Sequence, residues 1–245
     1  MYNLSKTHTN NGYGKMLKLR QVFDYRFMFA LLIFSQMLFA QEKTTFLTSP
    51  ADYLMDEKRE IALARSAAPD KVSQSATIMV LRKNGFETVI EGSNGFVCLV
   101  LRSWGNPTFD PRAAYVPEII APECCDANAV KTILPIQLYR HELGLKGTPP
   151  EQIKQKIMQG FFEGRFKEPD NVAFGYMMSS AMNLGAGIGN WVSHMMVYAP
   201  YYNNEMLGGF SWNEGHPFVE EGLGKPFTVV TIPMPNFITP KYENP

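Results

Sequence analysis

Three cysteines in 245 residues, no excess of either charge and no long apolar run set the first limits on this chain. Basic and acidic side chains number 23 each. That balance leaves neither a basic face for nucleic acid nor an acidic tract typical of a disordered tail. No stretch reaches the roughly 20 consecutive apolar residues of a bilayer-spanning helix. Repeats and low-complexity segments are missing, and the length suits one substantial core better than two. Residues 41–245 are therefore expected to form a single domain.

The front of the chain carries its clearest signal. Lys15, Lys18, Arg20 and Arg26 precede the apolar run Phe27–Ala40, which ends on a small residue before Gln41-Glu42-Lys43. A basic region, a short apolar run and a small residue at the cut describe a secretory leader over residues 1–40. An N-terminal anchor is the competing reading, but the run is too short to span. No cysteine follows Ala40 to carry a lipid, and the polar stretch Met1–Lys15 makes Met16 an alternative start. Cleavage removes five of the 23 bases (Lys6, Lys15, Lys18, Arg20, Arg26) and one of the 23 acids (Asp24), leaving a net charge near −4. An exported, mildly acidic domain, periplasmic or secreted, is expected. It should have no nucleic-acid partner and no stable membrane insertion after cleavage.

The organising stretch is Thr77–Arg102. Asn84-Gly85 and Asn94-Gly95 tolerate positive φ and separate three apolar runs, Thr77–Leu81, Phe86–Ile90 and Phe96–Leu101. The pattern predicts an antiparallel three-stranded meander, with the third strand, which hardly alternates, in mid-sheet. Ahead of it, Ser49-Pro50-Ala51-Asp52 opens a helix expected to run to about Ser66 and to end before Pro69. Beyond it, prolines 107, 111, 117 and 122 predict a surface loop. Asp126 caps a helix over 127–143 stepped at Pro135. Thr148-Pro149-Pro150-Glu151 reads as a capping box for a helix with Ile153, Ile157, Met158, Phe161 and Phe162 on one face and Gly164 beyond its end. Trp191–Tyr202 and Phe227–Ile232 read as two further strands. The expectation is an α+β fold with an antiparallel sheet of about five strands and helices on one face.

Chemistry is sparse. His194 shares a strand face with Met196 and Tyr198 and is the natural general base or ligand donor if that face lines a cleft. A core histidine satisfied by one carbonyl is the alternative. Ser179, after Tyr176-Met177-Met178, would supply a nucleophile. However, neither Gly-x-Ser-x-Gly nor Ser-x-x-Lys surrounds it, and small polar residues also end helices. Gly185-Ala186-Gly187-Ile188-Gly189 lacks the Gly-Lys-Ser/Thr of a phosphate loop. Arg102 leaves the third strand, where it would meet a ligand anion or a neighbouring acid. Cys98, Cys124 and Cys125 are odd in number, so at least one is unpaired. A Cys98–Cys124 bridge, closing about 26 residues and stabilising by about 2–4 kcal/mol, would staple the loop to the sheet; three free thiols remain the alternative. Cys98, Cys124, Cys125 and His194 match no zinc spacing, so no metal or cofactor is expected.

The segments Ala64–Pro69, Asn94–Trp104, Pro122-Glu123-Cys124, Tyr176–Ser179 and His194-Met195-Met196 resemble, in order and motif across about residues 60–200, a group of exported bacterial proteins with no assigned activity. The resemblance implies a shared fold and export, and no reaction. In that group the histidine tends to follow Trp-x-Pro; here it follows Trp191-Val192-Ser193, and the adjacent Cys125 is a second departure. Recurrence of Cys98 and Cys124 in these motifs favours the bridge. The expected function is binding of a small or extended ligand in a partly apolar cleft between the sheet and the Met/Tyr-rich segment, with His194, Tyr176, Ser179, Arg102 and Tyr198 as anchors. A hydrolase-like enzyme with His194 as base acting on Ser179 or water is the first alternative. A structural envelope protein is the second.

Overall fold

A computed structural model of the chain describes residues 49–105, 115–185, 188–220 and 225–242. The expected leader, Pro107, Pro111 and Gly187 lie outside these residues.

Ser49 caps as expected and closes a capping box with Asp52, but the helix they open is a single 3-10 turn, Pro50–Tyr53. A second start follows: Asp56 accepts the Arg59 N–H at 3.1 Å and caps α1, Glu57–Arg65. Pro69 then leads into the short α2, Asp70–Ser73. The expected single helix is thus two pieces, because Asp56 supplies a second cap.

The chain enters the sheet as β1, Thr77–Arg82, and returns antiparallel as β2, Gly85–Ile90, so Asn84-Gly85 reverses it as expected. The second turn does not make a meander. β3, Val97–Leu101, pairs with β1 in parallel, Thr77 opposite Val97 and Ile78 opposite Cys98. The residues between β2 and β3 pass over the start of β1. Gly92 N–H donates to Thr77 Oγ1 at 3.0 Å, Ser93 N–H to Ser75 O at 2.8 Å, and the Asn94 side chain to Val72 O at 2.7 Å. Asn94-Gly95 therefore bends a crossing loop, with Gly95 at φ 78°, instead of closing a hairpin.

Gly92 is what lets this loop lie so close. A Cβ there would overlap the Thr77 backbone nitrogen and the Ala76 carbonyl carbon, neither of which can rotate away. Gly92→Ala is accordingly expected to cost about 1–3 kcal/mol in urea unfolding. Amide exchange should quicken at Thr77, whose N–H donates to Phe96 O at 2.8 Å. Unchanged stability together with unchanged exchange would contradict this crossing.

β4, Ala121–Cys125, lies inside the stretch expected to be a surface loop, and all five of its residues are buried. It runs antiparallel to β3 with Cys98 opposite Cys124 and Val100 opposite Pro122. The 4.0 Å Cα separation of Cys98 and Cys124 marks a pair without ladder hydrogen bonds. Val100 and Pro122, two residues on, are of the same kind, so the missing N–H faces away from β3. On the other side, pairing with β5 (Ala173–Met177) covers only Cys124 and Cys125. Proline is tolerated because no bond is due there. Cys98 and Cys124 are disulfide-bonded, joining two adjacent strands and not a loop to the sheet; Cys125 is free and buried.

Asp126 then caps α3, Ala127–Thr132, accepting the Ala129 N–H at 2.8 Å, and α4, Leu134–Leu145, starts anew with Pro135 in its first turn. The expected step at Pro135 is a break between two helices. α5, Pro150–Phe162, has proline at its first position as expected but no side-chain cap, because Pro149 occupies the N-cap. Ile153 and Ile157 face the core, while Phe162 is 93 % exposed and Met158 also reaches solvent, both lying off the buried stripe. Gly164 follows at φ 73°.

β6 (His194–Tyr198), β7 (Phe218–Glu220) and β8 (Val229–Pro233) complete the sheet. Among the described residues it is a mixed sheet of eight strands in the order β2-β1-β3-β4-β5-β6-β8-β7, with β1/β3 as its parallel pair. The α+β class holds, but the five-stranded, wholly antiparallel sheet does not. Helices also cover both faces. Alternation along β3 sends Cys98 and Val100 into one core with Leu63 and Ala64 of α1. Val97, Leu99 and Leu101 enter another with Ala129 of α3, Ile136 of α4 and Ile153 and Ile157 of α5. That double cover is why β3 reads as an unbroken apolar run.

Candidate functional site

The Met- and Tyr-rich segments are strands β5 and β6 of the sheet itself, paired residue by residue from Ala173 opposite Tyr198 to Met177 opposite His194. His194 is buried, and its Nδ1–H donates to Val192 O at 2.7 Å. Burial lowers its pKa to about 4, so the imidazole is neutral. His194 is thus a core histidine satisfied by one carbonyl. The residue shares its face with Met196 and Tyr198, which pack in the core of α3, α4 and α5.

Ser179 is turned elsewhere. Its Oγ lies 2.7 Å from Ser66 Oγ at the C-cap of α1 and accepts the Ala181 N–H at 3.2 Å. Among the described residues it has no hydrogen bond to His194. Tyr176 is half-buried on β5, packed with the core of α1 and edge-on to Phe174 at 5.7 Å. His194 and Tyr198 thus share a face, and Ser179 and Arg102 each belong to a different set of contacts.

Arg102 and Tyr198 anchor two buried polar clusters. Arg102, 1 % exposed, donates from Nη2 to Glu60 Oε1 at 2.8 Å, from Nε to Tyr53 O at 2.8 Å, and from Nη1 to Val100 O. Glu60 Oε1 also accepts the Leu81 N–H at 3.0 Å. Burial pushes the Glu60 carboxyl up, and the Arg102 charge opposes this. The Arg102 backbone N–H donates to His141 Nε2 at 2.9 Å, while His141 Nδ1–H reaches Gln137 O at 2.7 Å. Both ring nitrogens are thus satisfied only in the neutral form, and burial lowers the His141 pKa to about 3.

In the second cluster, Tyr198 OH donates to Glu123 Oε1 at 2.6 Å and the Cys125 thiol lies against the same carboxyl. Arg140, beside them, is lowered to about 9 by burial. Burial raises Glu123, Cys125 and Tyr198 alike. Gly175 leaves the space the carboxyl occupies: a Cβ there would stand 3.2 Å from Glu123 Oε1. Both clusters serve as polar joints between sheet and helices.

Sequence reasoning passed over Glu60 and Glu123. Each had a positional signal. Glu60 stands three and four residues before the buried Leu63 and Ala64 of α1, and Glu123 alternates with Ala121 and Cys125 on one face of β4.

A cleft of about 160 Å³ lies where α1 and α2 meet the C-terminal segment. Its lining comes from Ala62, Arg65 and Ser66 of α1 and its cap, Asp70 and Gln74 of α2 and its cap, and Ile238, Thr239 and Lys241. The C-terminal segment is laid in place by backbone bonds: Ile238 N–H donates to Met178 O at 2.7 Å and Ser180 N–H to Ile238 O at 2.9 Å. Lys241 Nζ meets Asp70 Oδ2 at 2.5 Å across the mouth. The hydroxyl of Ser66, 2.7 Å from both Leu63 O and Ser179 Oγ, is already engaged. Arg65 is different: among the described residues its side chain makes no hydrogen bond and no ion pair, its Nε is sealed from solvent, and the residue as a whole is partly exposed. Ser179 touches this lining through its contact with Ser66.

The described residues contain no cluster of three or more His, Cys, Asp or Glu able to hold a metal, and no helix long and apolar enough to cross a membrane. Comparison with known proteins finds no matching family model, no matching curated protein and no matching solved structure.

Proposed function

We propose that this chain is an exported ligand-binding domain whose site is the cleft between α1, α2 and the C-terminal segment. The observation that carries it is the pairing of a recess with an arginine that has no partner in the described structure. Arg65 is only partly buried, so its charge stays available at the wall of the recess. Apolar walls from Ala62 and Ile238 with a few convergent polar groups are the usual make-up of a small-molecule site. Export is supported by the leader-like run Phe27–Ala40 and by the Cys98–Cys124 disulfide, which suits an oxidising compartment.

Screening a fragment set against the purified chain by protein-observed NMR tests the site. Binding fragments should shift the amides of residues 62–74 and 236–241 before any others. Shifts confined to other regions, or none at millimolar fragment, would refute the assignment.

A further inference from the structure

We propose that the cleft binds a small monocarboxylate, with its carboxylate on Arg65 and a short alkyl part against Ala62 and Ile238; this rests on the assignment of the cleft as the ligand site.

Three observations select that class. The first is charge. Arg65, Lys241 and Asp70 are the charged groups of the lining, and Lys241 and Asp70 neutralise each other at 2.5 Å. One positive charge is left over, on Arg65. A monoanion cancels it, whereas a phosphate dianion would leave excess negative charge close to the Asp70 carboxylate. The second is the shape of the donor. A guanidinium presents parallel N–H groups that a carboxylate's two oxygens accept together, and such charge-assisted pairs are roughly twice as strong as neutral ones. The Ser66 hydroxyl, already held by Leu63 O and Ser179 Oγ, does not compete for this role. The third is room. About 160 Å³ falls below the roughly 300–1,000 Å³ of drug-sized sites. A recess of that size suits an acid of a few carbons.

Propionate, propionamide and inorganic phosphate titrated separately into the purified chain, read by calorimetry and amide shifts, test this. Propionate should bind with shifts confined to residues 62–74 and 236–241, and propionamide at least about tenfold more weakly, as expected for loss of a charge-assisted pair. Arg65→Met should weaken propionate by about tenfold or more, Arg65→Lys by less because charge remains without the fork. Ile238→Trp, which fills the recess from the C-terminal segment, should abolish binding of both. Equal affinity for acid and amide, phosphate binding tighter than propionate, or an Arg65→Met chain that binds propionate unchanged would each overturn the ligand class. Neutral fragments that bind wild type and are blocked by Ile238→Trp, with propionate inert, would overturn the carboxylate and leave the cleft assignment standing. Small-molecule shifts that persist in Ile238→Trp would remove the cleft assignment itself.

Discussion

Arg102→Met is expected to destabilise the fold by about 3–5 kcal/mol, the usual loss when one member of a buried ion pair is deleted. The guanidinium is 1 % exposed and serves three acceptors at once: Glu60, Tyr53 O and Val100 O. Methionine fills much of the volume but leaves the Glu60 carboxylate facing one donor, the Leu81 N–H. For a domain of roughly 200 residues this corresponds to a fall in Tm of about 10 °C. The deficit should shrink on acidification. Without Arg102 the Glu60 pKa, already raised by burial, climbs further, and a proton then neutralises the stranded charge. Glu60→Met combined with Arg102→Met should recover a large part of the loss, since two apolar side chains leave neither charge uncompensated. Urea unfolding of the four members of this double-mutant cycle at pH 7 gives the coupling. A single-mutant loss below about 1 kcal/mol would show that the pair does not hold α1 to the sheet.

The second large effect is loss of stability in mild acid. His141 and His194 are buried and neutral, with folded pKa values of about 3 and about 4. In the unfolded chain both titrate near 6.5. Above pH 6.5 neither state carries the protons and the full stability is present. As pH falls below 6.5 the unfolded chain takes up two protons that the folded chain refuses, down to about pH 4 for His194 and pH 3 for His141. From pH 7 to pH 5 each histidine should remove about 2 kcal/mol. Glu60 and Glu123 act with the opposite sign: their raised folded values mean that the folded chain binds protons first, so the net slope is shallower than two protons. His194→Gln keeps a donor for Val192 O and cannot titrate. It should therefore lose about 2 kcal/mol less than wild type over the same interval. Urea unfolding at pH 7, 6 and 5 decides the point, and identical slopes for the two chains would rule out His194 as a source of acid lability.

Much of the architecture was legible in local signals, and what escaped was set by distant partners. The β1/β2 hairpin follows from Asn84-Gly85, and the central place of β3 from an apolar run with little alternation. The parallel pairing of β1 and β3 was hidden because Asn94-Gly95 looks the same in a hairpin as in a crossing loop. The deciding feature is the contact of Gly92 with the start of β1. Pro122 concealed β4, since a proline breaks a strand everywhere except where the ladder needs no donor. At the candidate site, Ser66 and Ser179 stand 113 residues apart and Asp70 and Lys241 171 apart, beyond the reach of any local motif. His194 and Ser179 drew notice as rare reactive types in an unusual segment, while Arg65 resembled any charged residue near a helix end.

Cys124 and Cys125 are chain neighbours, yet alternation along β4 sends them to opposite sides of the sheet, one into the bridge and the other against Glu123. A slip of β4 by a single residue against β3 would present Cys125 to Cys98 and carry Glu123 to the wrong side. An oxidant acting before the strands have zipped thus meets two nearly equivalent thiols, and closure onto the wrong one locks in the slipped alignment. Correct zipping withdraws Cys125 from contest. The completed bond therefore fixes this alignment of the ladder covalently.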